Sequence, residues 1–218
     1  MTNDEPEPEG HEARAVDRLI FFSDAVTAIA ITLLAIDLPV PQGGTVSAFW
    51  SSVRQNDLSY LGFLVSFLAI SAAWSHHHEV FQYAKRTDSR LRTLNMIWLL
   101  MIVLITFATK VLTTNGQDTL GANALRWGFY SLVQVLTSAA LFAMRRHLIS
   151  HHLREPGTES KDGSDWDWRA YGPMLGFGLS IPLFFVTPYA WVLWIVMPPL
   201  VTQLRRLQRR GQPRPEAS

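Results

Sequence analysis

Charged and polar side chains lead into the first long apolar run of this chain. Arg18, Ser23 and Asp24 precede the apolar residues 25–36. Polar and charged groups at bilayer depth are costly, so they indicate a functional role or a specific packing partner. Lipid offers no hydrogen bonds, and the partners must therefore come from neighbouring helices.

Three consecutive histidines form a second group of residues that could do chemistry. His76, His77 and His78 follow Trp74 in the second apolar run. Neighbouring positions on a helix lie about 100° apart, so the three rings point in three directions and cannot form one facial metal site. We expect one histidine to face the helix bundle and form hydrogen bonds, with the Trp74 indole as a donor on the same face.

A third group stands near the end of the fourth apolar run. His147 and His151 are four residues apart and could hold a metal on one helix face. The competing interpretation is a cationic helix end, favoured by the helix dipole and adjacent to Arg145 and Arg146. The chain has no cysteine, which excludes disulfides, thiolate metal sites and a cysteine nucleophile.

Six apolar stretches must position these groups, and each is long enough to cross or nearly cross a bilayer. They cover residues 17–38, 58–84, 93–114, 122–147, 168–187 and 189–207. The composition agrees, since 48% of the residues are hydrophobic and only 17% are charged. The sequence therefore predicts an all-α integral membrane protein with six transmembrane helices. The last two stretches are short, and their prolines predict kinks.

The polar segments divide the chain and orient it. Residues 1–16 are acidic and predict a disordered leader, residues 17–207 form the six-helix domain, and residues 208–218 form a basic disordered tail. Sixteen of the 19 Lys and Arg residues lie in the N-terminal flank, in residues 85–92 and 145–169, or in the C-terminal tail. An even number of spans places these segments on one side, which the positive-inside rule assigns to the cytoplasm. A short amphipathic piece over residues 46–54 is expected at the opposite interface.

The first span combines an aliphatic stripe with its polar start. Ile29, Leu33 and Ile36 fall on one helix face, and Thr32 borders it. By periodicity alone this stripe is a packing seam. The polar start adds a second expectation, which is that the Arg18 and Asp24 side chains join Trp74, His77 and Asn95 in one connected network at the cytoplasmic end. Asp88, just before the third span, is expected to join them, and Arg18 is expected to pair with Asp24.

The polar start also carries a family resemblance. Arg18, Phe22, Ser23 and Asp24 form an Arg-x-x-x-Phe-Ser-Asp motif that opens the first span. This resembles the transmembrane protein 175 family, the potassium channels of endosomes and lysosomes, in its bacterial single-repeat form. Supporting matches are Trp74, His77, Phe81, Thr87, Asp88, Leu94 and Asn95. One departure is Thr106, where the family often has a proline in the third span.

The resemblance implies a potassium-selective cation channel of the bacterial cytoplasmic membrane, and not an enzyme. Four copies would surround a pore lined by the first helix, with no cofactor and with potassium as the permeant ion. Carried over by position, Ile29 forms the narrowest ring, Leu33 and Ile36 form further apolar rings, and Thr32 offers a hydroxyl ring. Asp37 at the outer end could concentrate cations at the mouth, or be a solvated helix-end acid.

Two alternatives stay open at this point. A membrane-embedded metal-binding protein or enzyme could use the histidines, although no hydrolase triad is evident in the sequence. A proton-coupled transporter usually needs internal repeats and ionisable groups at the bilayer centre. Here Lys110 is the one charge well inside a later span, and it is expected to snorkel outward. Nucleic-acid binding is not supported, because the basic run 205–210 adjoins a span and is typical of a lipid-facing topology anchor.

Overall fold

Seven helices make up the described part of the chain, which comprises residues 8–114, 119–154 and 165–210 of a computed structural model. The helices are α1 Pro8–Ile36, α2 Val46–Gln55, α3 Asp57–Phe81, α4 Ser89–Thr113, α5 Leu120–Ser150, α6 Asp165–Leu183 and α7 Val192–Arg210. Each predicted span and the predicted amphipathic piece corresponds to one of them. The all-helical fold class is therefore confirmed.

Four of the described helices are long and apolar enough to cross a membrane. They are Glu12–Ile36 within α1, together with α3, α4 and α5. The helix α6 contains Pro173 and Pro182, and the apolar part of α7 is the shorter segment Val192–Leu204. The count of six transmembrane spans thus remains a prediction.

Several boundaries differ from those expected. The helix α1 begins at Pro8, upstream of residue 17, so residues 8–16 are helical where a leader was expected, and residues 1–7 lie outside the described residues. The helix α5 continues to Ser150, beyond the predicted end at residue 147. The helix α7 reaches Arg210, and the rest of the predicted tail lies outside the described residues. The helix α4 continues unbroken through Thr106, whose hydroxyl donates to the Val103 carbonyl at 2.7 Å.

The helix α4 lies at the centre of the bundle, where α1, α3 and α5 pack against it. One face of α4 supplies the core because Leu91, Trp98, Ile102 and Ile105 recur at intervals of three, four and seven residues and are completely buried. Buried hydroxyls add polar contacts among the same helices. The Ser66 hydroxyl of α3 lies 2.7 Å from the Thr109 hydroxyl of α4 and 3.1 Å from the Tyr130 hydroxyl of α5. The Gln134 amide donates a hydrogen bond to the Tyr130 hydroxyl at 2.9 Å. Lipid hydrocarbon offers no such hydrogen bonds, so these contacts favour association of the helices.

The helices α6 and α7 form a closely packed hairpin on the far side of α5. A Cβ atom on Gly172 would lie 2.7 Å from the Cα of Pro198, and one on Gly176 would lie 2.7 Å from the Leu193 carbonyl oxygen. The absence of side chains at these two glycines is what permits the close approach. Ser180 joins the hairpin to α5 through its hydroxyl, 3.0 Å from that of Ser131.

Three segments meet at one end of the bundle, which we call the basic end and define by Arg86, Arg146 and Arg154. Glu12 of α1 pairs with Arg86 at 2.7 Å, and the Lys85 amide donates to the Leu153 carbonyl at 2.9 Å. An isolated antiparallel bridge joins Ala84 to Arg154. The start of α1, the α3–α4 loop and the end of α5 therefore lie on one side, as the distribution of basic residues predicts.

Candidate functional site

The helix α1 has one buried face and one exposed face. Ser23, Thr27, Ala30 and Leu34 are buried against the bundle. Ile29, Leu33 and Ile36 lie on the other face, where 58%, 41% and 75% of their surfaces are exposed. Thr32 is exposed beside them, and its hydroxyl donates to the Ile29 carbonyl at 2.8 Å. The protomer thus leaves the predicted stripe uncovered over the last two turns of the helix.

A buried hydrogen-bond chain fixes the inner face of α1. The Asn95 amide donates to the Ser23 hydroxyl at 2.9 Å, and that hydroxyl donates to the Leu19 carbonyl at 2.8 Å. The Asn95 oxygen lies 2.8 Å from Nε2 of His77. Because this oxygen can only accept, His77 donates from Nε2. The Ser23–Asn95–His77 chain therefore joins α1, α4 and α3.

Aromatic rings hold His77 in place within this chain. The His77 ring is completely buried and stacks between Phe81, at 4.5 Å between ring centroids, and Trp98, at 4.3 Å. Stacking fixes the ring plane, and the hydrogen bond to Asn95 fixes its rotation within that plane. His77 is therefore rigidly packed. We call the Ser23–Asn95–His77 chain, together with the contact of Asp24 with Trp74 described next, the α1 anchor.

Asp24 forms a second contact between α1 and α3. Its carboxylate accepts a hydrogen bond from Nε1 of Trp74 at 2.9 Å and lies 3.8 Å from Nδ1 of His78. The Trp74 and His78 rings are in contact, with 4.6 Å between their centroids. Asp24 and its two neighbours are partly exposed, in contrast to the buried Ser23 chain.

The structure corrects the expectation of one connected network. Ser23 and Asp24 are adjacent, so their side chains point about 100° apart and meet different partners. Arg18 does not pair with Asp24, because six residues of helix turn the two side chains well away from each other. Arg18 and Phe22 instead lie exposed on the same face as Ile29.

Asp88 belongs to a separate contact at the basic end. One carboxylate oxygen accepts from the Leu91 amide at 2.7 Å and caps α4, and the other lies 2.7 Å from Nε2 of the buried His147. Partial burial opposes ionisation, but the hydrogen bonds from Leu91 and His147 outweigh it and hold the pKa of Asp88 below its ordinary value of 3.8. The sequence carries no signal for this pair, whose members are 59 residues apart.

At the opposite end of α1, Asp37 has a cationic partner. Its carboxylate lies 2.8 Å from Nζ of Lys110 on α4, and both side chains are about half exposed. Lys110 was expected to snorkel towards this surface. Nothing in the sequence indicates that it meets Asp37 there.

The histidines point in three directions, as their spacing predicts. His76 lines a groove beside α5, His77 is buried in the anchor, and His78 approaches Asp24. Among the described residues, no three His, Cys, Asp or Glu side chains come together as a metal site.

Comparison with known proteins identifies a family of channels that this chain resembles. The family model for the endosomal/lysosomal potassium channel TMEM175 matches residues 18–105. A potassium channel of Streptomyces collinus is 33% identical over 171 residues, which make up 78% of this chain and 82% of that protein. A potassium channel of Chamaesiphon minutus is 38% identical over 106 residues, 48% of this chain and 52% of the relative.

A solved structure shares the fold. The crystal structure of a lysosomal potassium-selective channel TMEM175 homolog from Chamaesiphon minutus superposes with a TM-score of 0.66 and covers 91% of this chain and 100% of that one, at 23% identity. The family model matches the region that holds the exposed stripe of α1, the Ser23–Asn95–His77 chain and the Asp24–Trp74 contact. The chain therefore belongs to the TMEM175 family of ion channels.

Proposed function

We propose that this chain is a subunit of a potassium-selective cation channel in which four copies surround a pore lined by α1. The observation that carries this proposal is the exposed stripe of Ile29, Leu33 and Ile36 on a helix whose other face is anchored in the bundle. One α1 cannot enclose a pore, and the stripe needs further copies to become a lining. The relatives described as potassium channels support the same reading.

The proposed constriction is a ring of four Ile29 side chains. Such an apolar ring closes a pore by dewetting, and a modest widening readmits water. Leu33 and Ile36 form further apolar rings, and the Thr32 hydroxyl gives a permeating ion one polar contact between the Ile29 and Leu33 rings. The sequence has no Thr-Val-Gly-Tyr-Gly filter. Selectivity then follows from the cost of removing water in a narrow neck, which is lower for potassium than for sodium.

We place Asp37 near the outer mouth, with a minor role in attracting cations. Its ion pair with Lys110 offsets much of its charge. Exposed pairs are also screened by salt, so the local field at the mouth is weak at physiological ionic strength. The channel needs no cofactor in this proposal, and its partners are other copies of itself, membrane lipids and potassium ions.

The proposed location is a bacterial cytoplasmic membrane, with both termini in the cytoplasm. Three basic segments meet at the basic end, through the Glu12–Arg86 pair, the Asp88–His147 pair and the Lys85–Leu153 hydrogen bond. The positive-inside rule assigns such an end to the cytoplasm.

Cation flux into proteoliposomes tests the pore. Purified protein is compared under potassium and sodium gradients, for the wild type and for Ile29→Asn. An amide at the constriction hydrates the neck, so we expect a larger flux and a smaller preference for potassium. Ile97→Asn is the matched control, because it places the same amide on an exposed face of α4. Unchanged flux and selectivity in Ile29→Asn would remove this residue from the pore.

A further inference from the structure

A groove of about 570 Å³ runs along the side of α3 that faces away from α1. Leu61, Val65 and Ala72 form its α3 wall. Trp74 and His78, which contact Asp24 of α1, lie on the opposite face of the same helix. The groove is therefore separate from the proposed pore.

The facing wall belongs to the α6–α7 hairpin, which is joined to α5 by the Ser131–Ser180 contact. Trp194, Ile195 and Pro198 of α7 line the groove. Gly172 and Gly176 allow α7 to pack closely against α6. The Trp194 indole donates a hydrogen bond to the Ser180 hydroxyl at 2.9 Å. Contacts within the protomer therefore hold both walls of the groove in place.

The floor of the groove needs no polar ligand. Gln134 donates its amide to the Tyr130 hydroxyl at 2.9 Å, Thr137 donates to the Val133 carbonyl at 2.8 Å, and Ser138 donates to the Gln134 carbonyl at 3.0 Å. The rest of the lining is almost entirely aliphatic and aromatic. The surface thus favours an apolar occupant.

The groove has the length and the opening that a lipid chain requires. Its lining extends along α3 from Leu58 to His76, which is about 27 Å at the rise of an α-helix. The hydrocarbon core of a bilayer is about 30 Å thick. Leu61, Leu68 and Ile195 on its rim are 58%, 58% and 65% exposed, so the groove opens sideways to the surroundings of the protomer.

We propose that this groove binds an acyl chain of a membrane phospholipid. A void of this size between fixed walls does not stay empty when its open side meets hydrocarbon. The chain gains close contacts with concave, rigid walls that it does not have among mobile lipids. Bound there, it supports the back of α3, the helix that carries Trp74 and His77 of the α1 anchor.

Native mass spectrometry tests the site on protein released from nanodiscs of phosphatidylethanolamine and phosphatidylglycerol. We expect about one retained phospholipid per protomer in the wild type and an about tenfold lower affinity in Ala72→Trp, whose indole fills the groove. Leu136→Trp is the matched control, because it adds the same ring on an exposed face of α5 outside the lining, and it should retain lipid normally. Equal retention in Ala72→Trp, or no retention by any of the three proteins, would overturn the proposal.

A second measurement on the wild type does not depend on a variant that folds. A phospholipid with a photoreactive acyl chain is incorporated and irradiated, and the labelled peptides are mapped. Adducts concentrated on the α3, α5 and α7 lining support the site, whereas uniform labelling of all exposed faces contradicts it. If Ala72→Trp dissociates the oligomer and the groove of the wild type is not labelled, a second copy occupies the groove and the proposal fails. Neither readout uses ion flux, so the result is independent of the proposed function.

Discussion

At the residue scale, the neighbours Ser23 and Asp24 have different tasks. Ser23 is buried in a hydrogen-bond chain with Asn95 and His77, whereas Asp24 meets the Trp74 indole at a partly exposed surface. Loss of a buried partner leaves a polar group unsatisfied in a medium without water, so the Ser23 chain tolerates change less than the Asp24 contact does.

Asp24 offers a test in which charge and hydrogen bonding can be separated. In Asp24→Ala the Trp74 indole loses its acceptor, and we expect a loss of about 1 kcal/mol in stability, the usual size for a partly exposed hydrogen bond. Asp24→Asn keeps an oxygen that accepts from Nε1 and should recover most of the loss. Thermal stability of the detergent-solubilised protein, followed by size-exclusion chromatography after heating, measures both variants. If Asp24→Asn is as unstable as Asp24→Ala, the charge itself is the important property, and the nearby His78 becomes its relevant partner.

At the element scale, the Asp88–His147 pair connects the start of α4 to the end of α5. The end of α5 is closed by His152 at a φ of 52°, with the Leu153 amide donating to the Leu148 carbonyl at 3.1 Å. This arrangement is a helix C-cap in which histidine takes the position that glycine usually occupies. It directs the chain back to bond with Lys85 and Arg86.

The lowered pKa of Asp88 predicts how this connection responds to acid. Since the folded state favours the carboxylate, the pair contributes fully above the ordinary pKa of 3.8, and its contribution is lost as the pH falls through the lower folded-state value. We expect Asp88→Asn to be less stable at neutral pH and to lose stability less steeply on acidification than the wild type. Unfolding followed by circular dichroism between neutral and acidic pH measures this. Parallel acid limbs for the two proteins would contradict the prediction.

Helix existence was predictable from the sequence, because long apolar runs interrupted by proline, glycine and charged residues leave few alternatives. Helix ends were less predictable. The helix α4 starts several residues early because Asp88 caps it, and α5 continues to Ser150, where His152 takes the capping position that glycine usually occupies. The residues of the site were predictable by type, but their partners were not. Pairing depends on which side of each helix faces which neighbour, and the separation of the Ser23 chain from the Asp24 contact appears only in three dimensions.

At the scale of the whole molecule, the uncovered stripe of α1 supports the proposal that several copies of the chain assemble around it. An apolar face that is bordered by Thr32 and begins near Arg18 is an unusual surface to leave among lipid tails. In the proposed tetramer the stripe faces a central axis instead. The groove behind α3 then lies on a different side of the protomer.

The subunit count is directly measurable. We expect native mass spectrometry of the detergent-solubilised wild type to give a mass of four times the 24.6 kDa chain. Ile29→Asn should keep that mass, because in the proposed tetramer its side chain faces the pore axis, and the substitution leaves the Ser23–Asn95–His77 chain intact. A monomer or dimer in the wild type under conditions that preserve flux would contradict the tetrameric pore.

The anchoring of α1 limits how a pore built from it can open. Rolling the helix about its own axis would pull Ser23 from Asn95 and Asp24 from Trp74 together, whereas tilting about these contacts breaks neither. Ile29 lies about 9 Å beyond Ser23 along the helix and Ile36 about 20 Å beyond it. In a tilt of α1 about the anchor, its far end would therefore move about twice as far as the proposed constriction at Ile29. That end is held by the buried Leu34, by the exposed Asp37–Lys110 pair and by the Tyr60 hydroxyl, which donates to the Pro39 carbonyl at 2.7 Å.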